Sequence, residues 1–220
     1  MFKSTRRPIL IPQSEHLKLA GTLAYLWGNA AFEQPPLPHL SVTAGIAQHD
    51  RAYGYLDNLP VGGLDDETWL ALTRRGFFMP CSDPVTDLVV RHHLLRLVSG
   101  RSTPARDQLA AEMRTAIERQ LGENGLAPEL LEQVDRMTRF CDNVSLHFCR
   151  EDVLEGEELV HARYGEPPIS IHYRVEGSQI GIAPWPLSVS GQHGYVVGYH
   201  LQGYPEQPES LLVPFHIYAL

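Results

Sequence analysis

Between Ser14 and Trp27 the apolar positions Leu19, Ala20, Leu23, Leu26 and Trp27 recur at the three-and-four spacing of a helix, and His16 falls on the same stripe. The pattern predicts a helix capped by Ser14 that carries an imidazole on its inward face. After the proline-rich link "FEQPPLPH", a second stripe of Val42, Gly45 and Ile46 again ends on a histidine, His49, beside which Gly45 is expected to leave space. Residues 56 to 80 read mostly as loop, with a short helix near "DDETWLALTRR". The segment "SDPVTDLVVRHHLLRLVSG" has a cap at Ser82 or Asp83, Pro84 in the first turn and Gly100 as a stop. On that helix His92 shares a face with Val85, Leu88, Val89 and Leu95, while His93 is turned by about 100° towards Val90 and Leu97. An amphipathic helix over residues 103 to 122 shows a solvated charged face. The last helix, "PELLEQVDRMTRFCDNVSLHFC", carries the stripe Leu130, Val134, Met137, Cys141, Val144 and Phe148, with Asp142 beside it.

The periodicity changes after about residue 155. "ISIHYRVEGSQIGIAPW" alternates apolar and polar positions around the turn "EGSQ", a hairpin pattern. "GYVVGYHLQG" and "LLVPFHIYAL" are further strands, the second placed at a sheet edge because Pro214 lacks an amide hydrogen. The expectation is a mainly α fold: a helical domain over 1–155 and a small antiparallel β extension, 156–220, packed on it.

A chain of 220 residues, 43% hydrophobic and 20% charged, can bury one substantial core. Its formal charge of −8 argues against a nucleic-acid partner, which needs a basic surface. No apolar run approaches the ~20 residues of a membrane span, and "MFKSTRRPILIP" lacks the apolar core of a signal peptide, so a cytoplasmic protein is expected. Three cysteines without a CxxC spacing suggest neither a disulfide framework nor a zinc ribbon.

The informative feature is that separate helices each bring an ionisable residue to an apolar face: His16, the pair His49-Asp50, His92 and Asp142. Taken singly, each has an ordinary structural reading, as a core-edge histidine or an ion-paired aspartate. Together they would carry a desolvation cost of several kcal/mol each unless they shared a counter-ion. Imidazoles and carboxylates suit a divalent ion such as Fe, Mn, Zn or Mg, and a site of two histidines and two aspartates leaves positions for water, which the ion activates near neutral pH. Arg51, Arg91 and Arg96 are candidates to receive a phosphate.

The order His16, His49-Asp50, then Asp142 followed by "NVSL" resembles the HD-domain superfamily of metal-dependent phosphohydrolases. The blocks "IPQSEHLKLAGTLAYLWGN", "IAQHDRAYGYLDNLP", "DLVVRHHLLRLVS", "FCDNVSLHFC" and "IAPWPL" are similar in order and spacing to a mainly bacterial family, domain of unknown function 3891. The resemblance implies an HD-like helical bundle with one or two metal ions on His16, His49, Asp50 and Asp142. His92 would be a further ligand or a group that binds substrate or donates a proton, and is favoured over His93. Asp50 and His92 are the expected catalytic residues; Arg51, Tyr53, Arg91 and His93 would line the substrate site, although this chain departs from the superfamily pattern after the pair, reading Arg51-Ala52-Tyr53-Gly54-Tyr55. The expected activity is hydrolysis of a small phosphorylated compound, a nucleotide or phosphomonoester. The alternatives are a di-iron oxygenase of the inositol-oxygenase type, with His92 and His93 as extra ligands, and a non-catalytic ligand-binding or regulatory module. The sheet edge allows a homodimer.

Overall fold

The computed structural model describes residues 1–58 and 63–220. The elements in chain order are β1 (Phe2–Lys3), β2 (Ile9–Ile11), α1 (Gln13–Tyr25), α2 (His39–Ile46), a 3-10 turn (Gly54–Asn58), α3 (Asp66–Phe77), α4 (Pro84–Ser99), α5 (Pro104–Asn124), α6 (Pro128–Arg150), β3 (Glu155–Val160), β4 (Ile169–Glu176), β5 (Gln179–Ala183), β6 (Gly191–His200) and β7 (Ser210–Ala219). Part of the loop expected after Leu56 falls on 59–62, outside the described residues.

Local chemistry accounts for most helix ends. Asp83 accepts a hydrogen bond from the Thr86 amide and Asp65 from that of Thr68, while Thr103 caps α5 and Gly125 ends it at φ 63°. α1 is capped differently from the expectation. Ser14 lies inside the helix, and the free amides of Gln13 and Ser14 donate to the two carboxylate oxygens of Asp57, at 2.7 and 3.2 Å. A residue 44 positions downstream thus supplies the cap, which no local motif announces.

The expected mainly α architecture with a small antiparallel sheet is overturned. Seven strands form one mixed sheet in the order β1-β2-β6-β7-β5-β4-β3, making this an α/β fold rather than a helical bundle with an appendage. Two strands come from the N-terminal segment: Ile9 and Leu10 pair with His200 and Tyr199 of β6. β5 and β7 run parallel, whereas every other pairing among the described residues is antiparallel. The strands missed by periodicity are β1 and β2, too short to show alternation, and β3, whose "EGEELV" is half glutamate.

β7 is also corrected: it lies inside the sheet, between β6 and β5. Pro214 is tolerated there because β5 begins opposite His216, whose amide donates to the Ser178 carbonyl at 2.7 Å. Two residues earlier the same side of β7 has no partner strand, so the hydrogen that proline lacks would have had no ladder acceptor.

One hydrophobic core joins the sheet to α1, α2 and α6, through Ile171, Tyr173, Val175, Ile180, Ile182 and Val196 on the strand side and Phe140, Val144 and Phe148 on the helical side. A second core lies among α3, α4 and α5, with Leu88, Leu94, Val98, Leu109, Met113 and Ile117. α2 is wedged tightly against α1 and α4. A Cβ at Gly45 would stand 2.5 Å from Val89 Cβ, so this glycine admits α4 and not, as expected, the imidazole of His49. No described helix is long and apolar enough to cross a membrane.

Candidate metal centre

Four elements converge on one buried polar cluster. α1 supplies His16, α4 supplies His93 and α6 supplies Asp142. His49 and Asp50 follow the end of α2, in a run of tight turns in which the Arg51 amide donates to Gln48 O and that of Tyr53 to Asp50 O, both at 2.8 Å. Leaving the helix at Ile46 lets these two adjacent residues face the same centre, where a continued helix would turn them about 100° apart.

His16 Nε2 and His49 Nε2 are 3.1 Å apart, and Asp142 Oδ1 is 3.4 and 3.3 Å from them. Asp50 Oδ2 closes the set at 3.8 and 3.9 Å. The two histidines are 0% exposed, whereas the Asp50 and Asp142 side chains keep 13% and 10%, so the cluster meets solvent on its carboxylate side.

The other nitrogen of each ring is already committed. His49 Nδ1–H donates to the Ile46 carbonyl at 2.6 Å. His16 Nδ1 meets Ser145 Oγ at 2.9 Å, and that hydroxyl also lies 2.8 Å from the Cys141 carbonyl, to which it donates, leaving Nδ1 to carry a hydrogen towards it. Both neutral rings therefore present unprotonated Nε2 atoms to each other. Two lone pairs at 3.1 Å need a cation between them, a proton or a metal ion. Two imidazole nitrogens on one ion at bonds of about 2.0–2.1 Å sit about 3.0–3.4 Å apart, so the spacing fits, as does the anchoring of each ligand's far nitrogen.

Without a metal the proton takes that place. Burial opposes charging His49, but the carboxylates of Asp142 and Asp50 outweigh it and raise its pKa to about 9. Burial likewise opposes ionising Asp142, yet His49 and the contact with His16 hold it well below the usual carboxylate range.

Around this set lies a tightly bonded periphery. His93 Nε2 donates to Asp50 Oδ1 at 3.0 Å, Gln13 Nε2 donates to Asp50 Oδ2, and the Arg96 guanidinium donates to His93 Nδ1 at 2.8 Å. Burial, then the neighbouring His49, lowers the pKa of His93, so it stays neutral, as the Arg96 contact requires. Arg96 Nε also donates to Asp135 Oδ1 at 3.2 Å.

The cluster unites the expected His16, His49, Asp50 and Asp142, and it reverses the choice between the adjacent histidines. His92, expected as ligand or catalytic group, has its side chain 30% exposed and its Nδ1 3.5 Å from Asp135, while His93 is buried against Asp50. α4 is buried on most of its circumference, without a break from Val85 through Val90, so a single inward stripe does not exist to discriminate between them. The expected substrate residues are used elsewhere. Arg51 and Arg91 both flank Asp87 at 2.8 Å, and Tyr53 bonds Thr73 at 2.7 Å and stacks on Trp69. Gln13, Ser145 and Asp135 were not singled out from the sequence. A signal existed for two of them and for Arg96: each of Gln13, Arg96 and Ser145 is three residues from His16, His93 or Asp142 on the same helix face.

The fold and cluster define an α/β protein with a candidate His/Asp metal centre between its helices. Comparison with known families then places it: the chain belongs to the family described as "Protein of unknown function (DUF3891)", which it matches over residues 2–68 and 79–195. That span contains every residue of the cluster. No curated protein and no solved structure matches the chain.

Proposed function

We propose that this protein is a metal-dependent hydrolase of small phosphorylated compounds, with His16, His49, Asp50 and Asp142 holding one divalent ion, Fe, Mn, Zn or Mg. The observation that carries the reading is the pair of facing Nε2 atoms flanked by two carboxylates, with both rings and Asp50 held by hydrogen-bonded partners. The order of these ligands resembles that of HD-type phosphohydrolases. The likeness is confined to the ligand order, since the seven-stranded sheet departs from a helical bundle.

A bound divalent ion supplies Lewis acidity and brings water ionisation towards neutral pH. The protein's own residues do the rest. His16 and His49 are locked in one tautomer by Ser145 and Ile46, so they present lone pairs without reorganisation. Asp50, on the side of the cluster that meets solvent and held by hydrogen bonds from His93 and Gln13, would take up a proton from the attacking water. Arg96, bonded to His93 and Asp135, offsets carboxylate charge beside the ion, so that an anionic substrate meets a site without net negative charge.

The test is metal analysis coupled to a phosphatase screen. Wild-type protein loaded with each ion should retain a stoichiometric metal and release phosphate from a phosphomonoester or nucleotide, with both properties lost in Asp50→Ala. Metal bound without turnover on any phosphorylated compound would replace the hydrolase by the ligand-binding module.

A further inference from the structure

We infer that Arg96 occupies the place of a second cation, so that the centre is built for one metal ion and not two. This rests on the metal-site reading above and adds to it the nuclearity of the centre. Asp142 is used on both sides. Its Oδ1 faces the His16–His49 pair, while its Oδ2 turns to the Arg96 Nη2 at 3.8 Å and the His93 Nδ1 at 3.8 Å. That is the posture of a carboxylate bridging two cations, with the guanidinium as the second. His93 Nδ1 at 2.8 Å and Asp135 Oδ1 at 3.2 Å complete the ring of acceptors around Arg96. An imidazole nitrogen and two carboxylate oxygens would be a competent ligand set for a metal, and all three are directed at a side chain that remains protonated at any working pH.

Charge points the same way. Asp50, Asp135 and Asp142 are the carboxylates of the cluster, and Arg96 with one divalent ion neutralises them. A second divalent ion beside Arg96 would leave two uncompensated positive charges in a site whose imidazoles are fully buried, an arrangement that desolvation opposes. The inference separates this protein from a di-iron oxygenase, which requires two metal ions. Arg96 is thereby a specificity-determining residue for the metal centre.

The experiment is equilibrium dialysis of the intact protein against excess Mn(II), with bound manganese measured by plasma mass spectrometry and electron paramagnetic resonance. Wild type is expected to hold one equivalent with the signal of an isolated ion. Arg96→Ala, which frees His93 Nδ1, Asp142 Oδ2 and Asp135 Oδ1, is expected to hold two equivalents with an exchange-coupled signal. Two equivalents in the wild type, or one in a folded Arg96→Ala protein, would overturn the inference while leaving the metal site standing. No metal in the wild type after the same dialysis against Mn(II), Fe(II), Zn(II) and Mg(II) in turn would overturn the metal reading and the inference with it. The wild-type measurement decides even if the variant does not fold.

Discussion

Two buried polar clusters lie side by side in the helical part of the molecule, and they resolve the same electrostatic problem in different ways. Around Asp87, Arg51 Nη2 and Arg91 Nε each approach to 2.8 Å, Arg51 also donates to the Gly76 and Met79 carbonyls, and Gln120 donates at 3.2 Å. Cation and anion sites are filled from within the chain. Around Asp50 and Asp142 the partners are three neutral-capable imidazoles and a single guanidinium, and two ring nitrogens face each other with no hydrogen assigned by their surroundings. The first cluster is closed by its own arginines, whereas the second sets two ring lone pairs against each other that a proton or a metal ion must reconcile. Burial of charge alone does not mark a functional site; what marks it is a donor set whose compensation is missing from the protein's own residues.

The largest effect that would sharpen this contrast is on stability. Asp87→Ala strands two arginines in a buried environment and should cost about 3–5 kcal/mol in urea unfolding, while leaving bound metal at the wild-type stoichiometry. Loss of metal in that variant would break the distinction between the clusters. Asp142→Ala should do the opposite, lowering metal affinity by more than ~100-fold, since even the outer partners of metal ligands are worth about 10–100-fold. Ser145→Ala, which removes only the partner of His16 Nδ1, belongs within that 10–100-fold range, measured by competition with a chromogenic chelator.

A smaller effect is the pH dependence of stability. In metal-free protein the pKa of His49 is raised from 6.5 to about 9, so the folded state holds the proton more tightly than the unfolded chain. Its stabilisation is complete below about pH 6.5 and is lost as pH rises through 9. Thermal melts of the stripped protein should therefore show falling stability from pH 7 to 9. In the metal-loaded protein the ion replaces that proton, and the fall should vanish. An alkaline decline of equal size with and without metal would mean that no ion enters the pair.

His16, His49, Asp50 and Asp142 stood out because an ionisable group on an apolar helical stripe is costly without a partner, and that cost can be read from spacing. His93 did not, since α4 is enclosed on nearly every side and its periodicity is silent about which of two adjacent histidines turns to the centre. Arg51 and Arg91 were placed near a ligand because a sequence shows cations and not their partners; only the folded chain shows Asp87 between them. Pro214 excluded a fully paired strand position but not an interior strand, because its missing hydrogen matters only where a neighbour continues alongside.

By itself the sequence determined the approximate spans of the longer helices, the β4–β5 hairpin and the inward placement of His16 and His49, since these depend on capping, turn residues and periodic burial within short windows. The tertiary structure alone decided that β1 and β2 join a seven-stranded mixed sheet, that Asp57 caps α1, that His93 and not His92 meets Asp50, and that Arg96 stands beside Asp142. Each of these is a pairing between segments distant in the chain or on either side of one helix, fixed by the mutual satisfaction of buried donors and acceptors, which has no period and leaves no local signature.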